Sequence, residues 1–249
     1  MMLREGKFGV QEAVSFTTIA ITAKVFFSSP TYVVQIVGTS GWLMTLISAF
    51  TTGAAFFFVY RLLRLFPGKN IIEINTHVLG NAIGSFFSLL LSFVLLLTAA
   101  LNLREFIEVI NVYVLPSSPP DFILYLFVTV LIILSFLGLE TLVRFSKLMA
   151  YILLAGFLLI IIISVKYFEL SNLFPIFGHG FNQTFINGIK RSSAYGEIMI
   201  IAVIAKSLHG IKYAKKVSIA TLILSACIVT LSLLSFSLIF PYYVVLLIS

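Results

Sequence analysis

The chain has few charged residues and a single cysteine. Only 10% of its 249 residues are Asp, Glu, Lys or Arg, while 60% are hydrophobic. So few charges cannot coat a water-soluble globule, because polar and charged groups supply much of such a surface. One cysteine, Cys227, cannot build an intrachain disulfide framework. The composition therefore predicts an integral membrane protein.

The sequence also lacks the short patterns of common enzymes and metal proteins. It contains no G-x-x-x-x-G-K phosphate loop, no H-E-x-x-H and no C-x-x-C. His77, His179 and His209 fall in three separate connections, so they cannot converge on one metal ion. We expect no enzyme, no cofactor and no metal site. The net charge of +7 fits a basic rim against anionic lipid, so no nucleic-acid partner is expected.

Apolar runs of membrane-spanning length, about 20 residues, recur along the chain. They predict seven spans in one transmembrane domain, 1–249, at roughly 13–37, 42–65, 83–103, 122–139, 148–167, 184–208 and 217–240. The span at 184–208 is strongly apolar only near its end. At the start of the third span, Gly80 and Gly84 have the spacing of small residues that is typical of close helix packing.

The distribution of Lys and Arg predicts the orientation, because short basic loops stay in the cytoplasm. With a cytoplasmic N-terminus, most basic residues lie inside, and the outside receives only Arg104, Lys166, Lys190 and Arg191. This distribution requires the weak span 184–208 to cross the membrane. The connections 104–121 and 168–183 are then external, and 66–80 is cytoplasmic.

Two spans are interrupted near their middles by polar residues. Lys24 lies about eleven residues from either end of its span, on the order of 16 Å at 1.5 Å per residue, too deep for its amine to reach the interface. It therefore needs an internal partner, and Glu197 in the sixth span is the candidate. Paired breaks in two halves of a chain point to a transporter-like ligand site. The candidate ligand-binding residues are Lys24, Ser28, Ser29, Tyr195, Gly196 and Glu197.

Each of these residues also has a purely structural interpretation. Glu197 can stabilise a helix N-terminus, and Lys24 can be a structural charge. Ser28 and Ser29 can serve only to satisfy backbone groups freed by Pro30. Tyr195 is more readily explained by packing than by ligand contact.

Several short patterns occur in a characteristic order along nearly the whole chain. They are Phe66-Pro67-Gly68-Lys69, Leu79-Gly80 with Gly84, Leu115-Pro116 with Pro119, Gly138-Leu139-Glu140 with Arg144, Asn172-Leu173-Phe174-Pro175, and Gly196-Glu197. Each pattern is weak alone, and their order carries the specificity. Together they make the chain resemble the spore germination permease family, the B subunits of Ger-type nutrient germinant receptors.

The resemblance implies a LeuT-like fold of the amino acid–polyamine–organocation superfamily, with ten spans in two inverted repeats. Seven spans fit here, as a first repeat (13–167) and an incomplete second repeat (184–249). The segment from Ala23 to Pro30 lacks the glycine-rich break usual in the first helix of that family. The eighth to tenth spans of the pattern are missing, as in a fragment or a shortened product. We expect residues 1–249 alone to insert in a membrane without building the whole site.

The resemblance further implies a multi-pass protein of the spore inner membrane that senses an amino acid or a similar small nutrient. The implied site lies at the membrane midplane between broken helices 1 and 6. The implied partners are the A and C subunits of a receptor complex, besides membrane lipid. Two other functions stay open: a proton- or cation-coupled amino acid transporter, and a structural subunit that binds no ligand.

Overall fold

A computed structural model describes residues 7–26, 29–208 and 210–242, and all regular secondary structure within these ranges is helical. The α-helices are α1 (Val10–Thr22), α2 (Ser29–Val37), α3 (Gly41–Leu65), α4 (Ile71–Tyr113), α5 (Pro120–Phe136), α6 (Leu139–Ser164), α7 (Phe181–Lys190), α8 (Ile200–Val203) and α9 (Ile211–Ile239). Short 3₁₀ segments connect several of them.

Four helical stretches in the described part of the chain are long and apolar enough to cross a membrane. They are Pro30–Leu65, Ile71–Tyr113, Leu139–Tyr167 and Ile211–Ile239, with Pro120–Phe136 as a shorter apolar helix. Helical backbone satisfies its own N–H and C=O groups, which hydrocarbon requires. The protein is therefore an all-α membrane protein, as its composition predicts.

The first predicted span is divided at the expected place. The first half, α1, continues as a 3₁₀ segment (Ala23–Phe26), and the second half, α2, begins at Ser29. Pro30 lies in the first turn of α2, where a helix needs no N–H from it. Lys24 therefore lies at a change of helical winding, not within a regular helix.

The sixth predicted span is wound irregularly over most of its length. Helix α7 begins after Gly180, whose φ of 117° is open to glycine. It passes into a long 3₁₀ segment (Arg191–Met199), the four-residue α8, and a last 3₁₀ segment (Ile204–Ser207). A long 3₁₀ stretch is unusual and often marks a hinge or strain.

Helix α4 bends at Gly80, whose φ of 79° and ψ of 168° are not helical. The part before the bend starts with a capping box, in which the amide of Glu73 donates to the Asn70 side chain at 2.8 Å. A Cβ on Gly84 would lie 2.5 Å from the backbone of Asn75 and Thr76. Gly84 is thus a close-packing position as predicted. The same interpretation is wrong for Gly80, which forms the bend and where a Cβ would meet no atom within 4 Å.

The buried bundle is built from α1, α3, α9 and the irregular sixth span. Helix α1 packs against α9, α6 and the 191–199 segment, while α3 packs against α9, α7 and the same segment. Hydroxyl groups join these helices: Thr17 and Thr221 lie 2.8 Å apart, and Ser48 donates to the carbonyl of Gly188 at 2.7 Å. By contrast, α4, α5 and α6 expose long apolar faces, as lipid-facing helices do.

The C-terminal end of α2 is held by the connection before α7. His179 donates its amide to the carbonyl of Val37 at 3.2 Å, and its Nδ1 lies 3.0 Å from the carbonyl of Ile36. The hydroxyls of Ser40 and Thr184 lie 2.7 Å apart. These contacts satisfy carbonyls at the end of a helix, which has no further turn to accept from them.

The close approach at Gly84 gives a first prediction. Gly84→Ala should lower stability by about 1–3 kcal/mol, because the new methyl group meets backbone that cannot move aside. The matched control is Gly156→Ala in α6, where a Cβ would meet nothing within 4 Å, so stability should hold or rise slightly. Thermal unfolding in detergent, followed by intrinsic fluorescence, measures both. Equal midpoints for the two variants would contradict the packing at Gly84.

Candidate functional site

The two intramembrane charges form an ion pair between the two broken spans. Lys24 Nζ lies 2.6 Å from Glu197 Oε1 and donates a hydrogen bond to Oε2 at 2.8 Å. The side chains are 22% and 6% exposed. Because each charge alone would cost several kcal/mol in hydrocarbon, each gives the other its main compensation. The partner predicted for Lys24 is the one that the structure supplies.

Lys24 also donates a hydrogen bond to a backbone carbonyl in the irregularly wound segment. Its Nζ donates to the carbonyl of Ala194 at 2.9 Å, three residues before Glu197. Thr52 on α3 donates in the same way to the carbonyl of Ser192 at 2.8 Å. The break in the sixth span is therefore held by side chains from two neighbouring helices, as non-helical backbone within a membrane requires.

A small cavity lies beside the ion pair, between α1, α3, α9 and the 191–199 segment. Its volume is about 30 Å³, which holds about two water molecules. Apolar side chains (Ile21, Val229 and Leu233) line one part of it, and Lys24, Thr45, Ser48, Arg191 and Tyr195 are among the rest. The lining suits a small amphiphilic molecule, but an amino acid enters only if the helices move apart.

Tyr195 is buried in this region, with a side chain that is 1% exposed. Within the described residues its hydroxyl makes no hydrogen bond, and Glu197 Oε1 accepts none of good geometry although Lys24 lies close to it. Buried polar groups that lack such a bond are uncommon, and they mark places where a ligand or water can bind. Packing accounts for the ring of Tyr195 but not for its hydroxyl.

Three further residues belong to the predicted site. Gly196 is exposed and does not line the cavity. Ser28 lies outside the described residues, and for Ser29 only the backbone, at the start of α2, is described. A ligand role for these three residues stays a prediction.

Arg191 is the cavity residue that sequence reasoning misses, because the charge count assigns it to the outer side. It begins the 3₁₀ segment, lines the cavity, and holds its guanidinium 5.6 Å from the centre of the Tyr32 ring. A basic residue directly before a Ser-Ser break is the signal that could have indicated this position. Hydropathy alone could not, since it does not show where regular helical winding ends.

A second ion pair ties the end of the sixth span to the short helix before Gly80. Lys206 Nζ lies 2.6 Å from Glu73 Oε1, and both side chains are partly exposed. The pair borders an open polar pocket that also contains Lys69 and His77. Movement of the sixth span would therefore reach the 66–80 connection directly.

The described part of the chain is that of an all-α membrane protein in which two discontinuous helices meet at a buried ion pair. Residues 11–244 match the spore permease family model, which is described as a spore germination protein. The chain therefore belongs to the spore germination permease family, and the resemblance seen in the sequence is confirmed.

Two curated relatives show the extent of this similarity. The spore germination protein GerQB of Bacillus cereus is 27% identical over 211 residues, which are 82% of this chain and 57% of the relative. The spore germination protein YndE of Bacillus subtilis (strain 168) is 24% identical over 166 residues, 66% of this chain and 46% of the relative. The chain spans about half the length of these relatives. No solved structure matches it.

The ion pair gives a second prediction. Lys24→Met or Glu197→Gln alone should each cost about 3 kcal/mol of stability, because the remaining group is left buried without its partner. The double variant should lose less than the sum, by about 1–3 kcal/mol. Unfolding midpoints of the purified protein in detergent measure all three.

The matched control for this cycle is the exposed pair of Glu140 and Arg144, whose side chains are 39% and 62% exposed. The cycle of Glu140→Gln and Arg144→Met should show a coupling below about 0.5 kcal/mol. Strictly additive losses at Lys24 and Glu197 would show that the two charges are not coupled.

Proposed function

We propose that this protein is a membrane subunit of a spore nutrient germinant receptor, and that it senses an amino acid or a similar small nutrient. The proposed site lies between the two broken spans at the membrane midplane. The observation that carries the proposal is the ion pair of Lys24 and Glu197 beside a cavity with both apolar and polar walls. Membership of the spore germination permease family supports it.

A free amino acid carries the same two charges as this pair. Its ammonium group can replace Lys24 at Glu197, and its carboxylate can in turn engage Lys24. The exchange keeps every charge paired, so the desolvation cost of opening the site is offset as the ligand enters. The cavity of about 30 Å³ must enlarge for this to happen. Ligand binding is therefore coupled to movement of α1 against the 191–199 segment.

The proposed site is completed by Tyr195, Ser28, Ser29 and Gly196. The buried hydroxyl of Tyr195 supplies a hydrogen-bonding group next to the charges. Ser28 and Ser29 precede or begin the second half-helix α2, whose N-terminal amides favour an anionic group. Gly196 lets the backbone beside Glu197 change its winding without the restrictions of a side chain.

We further propose that this movement passes to the A and C subunits of a receptor complex in the spore inner membrane. The pair of Lys206 and Glu73 connects the inner end of the sixth span to the 66–80 connection. With the N-terminus in the cytoplasm, that connection faces the cytoplasm. A ligand shifts an equilibrium between two conformations only if it binds them with different affinities. The pair of Lys24 and Glu197 provides that difference in affinity.

Coupled transport of an amino acid is a second candidate, favoured by the position of Lys24 at the break of helix 1. The positive charge of Lys24 compensates Glu197 there, as a coupling cation would. Uptake of a labelled amino acid into proteoliposomes separates the two functions, since a sensor needs no net transport. A purely structural subunit would bind no amino acid at all.

The site leads to a third prediction, for the protein expressed from its complete reading frame and reconstituted in nanodiscs. At least one of the twenty standard amino acids should raise its thermal stability, by about 2.7 kcal/mol at one hundred times the Kd. The matched control is the double variant Lys24→Met with Glu197→Gln, which lacks both charges and should show no shift. Failure of every amino acid to stabilise the wild type would contradict the proposal.

The orientation leads to a fourth prediction, tested with single cysteines in a Cys227→Ser background. A cysteine at Ser117, which is exposed in the 104–121 connection, should react with an impermeant maleimide on intact cells. A cysteine at the exposed Lys212 should react only after permeabilisation. The reverse labelling pattern would overturn a cytoplasmic N-terminus.

A further inference from the structure

Arg191 connects the second half of the first span to the break in the sixth. Its guanidinium carbon lies 5.6 Å from the centre of the Tyr32 ring, and Tyr32 belongs to α2. A guanidinium over an aromatic face is held in orientation by a cation–π attraction. Arg191 also lines the cavity, so its stacked side chain stands beside that space.

The described wall of the cavity carries more positive than negative charge. Of the residues that the structure describes, nine line it, and these include two cations, Lys24 and Arg191, and no carboxylate. The nearest acid of the site, Glu197, is engaged by Lys24. Glu105 lies within electrostatic range of Arg191 but is not part of the cavity wall. The space between the two cations therefore favours an anionic group.

The two cations differ in what they can offer to such a group. Lys24 already donates to Glu197 and to the carbonyl of Ala194, which uses two of its three N–H groups. An arginine carries five N–H donors in a planar fork that matches the two oxygens of a carboxylate. The fork of Arg191 therefore suits a carboxylate better than the single amine of Lys24 does.

We propose that Arg191 is the residue that recognises the ligand carboxylate, and that the ligand class is therefore small amino acids with a free carboxylate. This inference rests on the proposed function. The carboxylate binds between Arg191 and Lys24, which draws Lys24 away from Glu197. Glu197 then accepts the ligand ammonium group. An amine or an amide without the carboxylate leaves Lys24 where it is.

The test uses the amino acid that most stabilises the wild-type protein, produced from its complete reading frame. The probes are that amino acid, its carboxamide, and the amine that results from its decarboxylation. Binding to the protein in nanodiscs is measured by isothermal titration. The wild type should bind the amino acid at least about 30-fold more tightly than either analogue, since a charged partner is left unpaired with both analogues.

Arg191→Gln should weaken binding of the amino acid about 30-fold or more and bring its affinity close to that of the carboxamide. The matched control is Lys190→Gln, which removes the neighbouring positive charge at an exposed position and should change neither affinity nor selectivity. Arg191→Lys should bind the amino acid with reduced affinity but still prefer it to the carboxamide. This variant takes the place of Arg191→Gln in the test if Arg191→Gln does not fold. Unfolding midpoints without ligand show whether each variant is folded.

Three results would overturn the inference in distinguishable ways. If Arg191→Gln keeps the affinity and selectivity of the wild type, the site exists but Arg191 does not recognise the carboxylate. The same conclusion follows if Arg191→Gln does not fold and a folded Arg191→Lys keeps both. If the wild type binds the carboxamide as tightly as the acid, the ligand class is wrong. If the wild type binds no amino acid, the proposed function fails together with this inference.

Discussion

The cost of burying charge in hydrocarbon governs the arrangement of this bundle. Lys24 and Glu197 come from spans that are far apart in sequence, and neither charge is tolerable at that depth without the other. Their contact fixes the break of the first span against the break of the sixth. The ammonium of Lys24 also satisfies the carbonyl of Ala194, so one side chain compensates both a charge and an open backbone group.

The remaining polar contacts hold the elements around this pair. Ser48 and Thr52 on α3 donate to carbonyls of the sixth span above and within its break. His179 and Ser40 hold the C-terminal end of α2. The end of the sixth span near Lys206 is held by a partly exposed ion pair with Glu73. The pair of Lys24 and Glu197 is the buried charged contact, and there a charged ligand can compete with the protein for its own contacts.

Sequence reasoning is successful where a residue type has one physical explanation. A lysine in the middle of an apolar run demands a partner, so the pairing of Lys24 with Glu197 follows from the printed residues. The break before Pro30 follows from the missing N–H of proline. The all-α membrane class follows from composition, and the family follows from the order of weak patterns along the chain.

Other features depend on winding and packing that hydropathy does not record. The charge count places Arg191 outside because a charge at the end of an apolar run is normally a boundary, whereas here the 3₁₀ segment turns it toward the cavity. Gly80 and Gly84 belong to one pattern of small residues in the sequence. In the structure Gly80 bends the helix, whereas Gly84 lies close to the backbone of Asn75 and Thr76. The hydrogen bonds from Ser48 and Thr52 on α3 to the sixth span are equally hard to predict. A serine or threonine hydroxyl donates to a carbonyl of its own helix as often as to one of a neighbouring helix.

The most direct test of the central claim is the distance between the two buried charges. Rotational-echo double-resonance NMR can measure it in lipid, with ¹⁵N in the lysine amines and ¹³C in the glutamate carboxyl groups. A Glu73→Gln background removes the similar pair with Lys206, and Lys24→Met identifies the remaining signal. The account predicts a strong nitrogen–carbon coupling without ligand that disappears in Lys24→Met. Absence of that coupling in the ligand-free protein would contradict it.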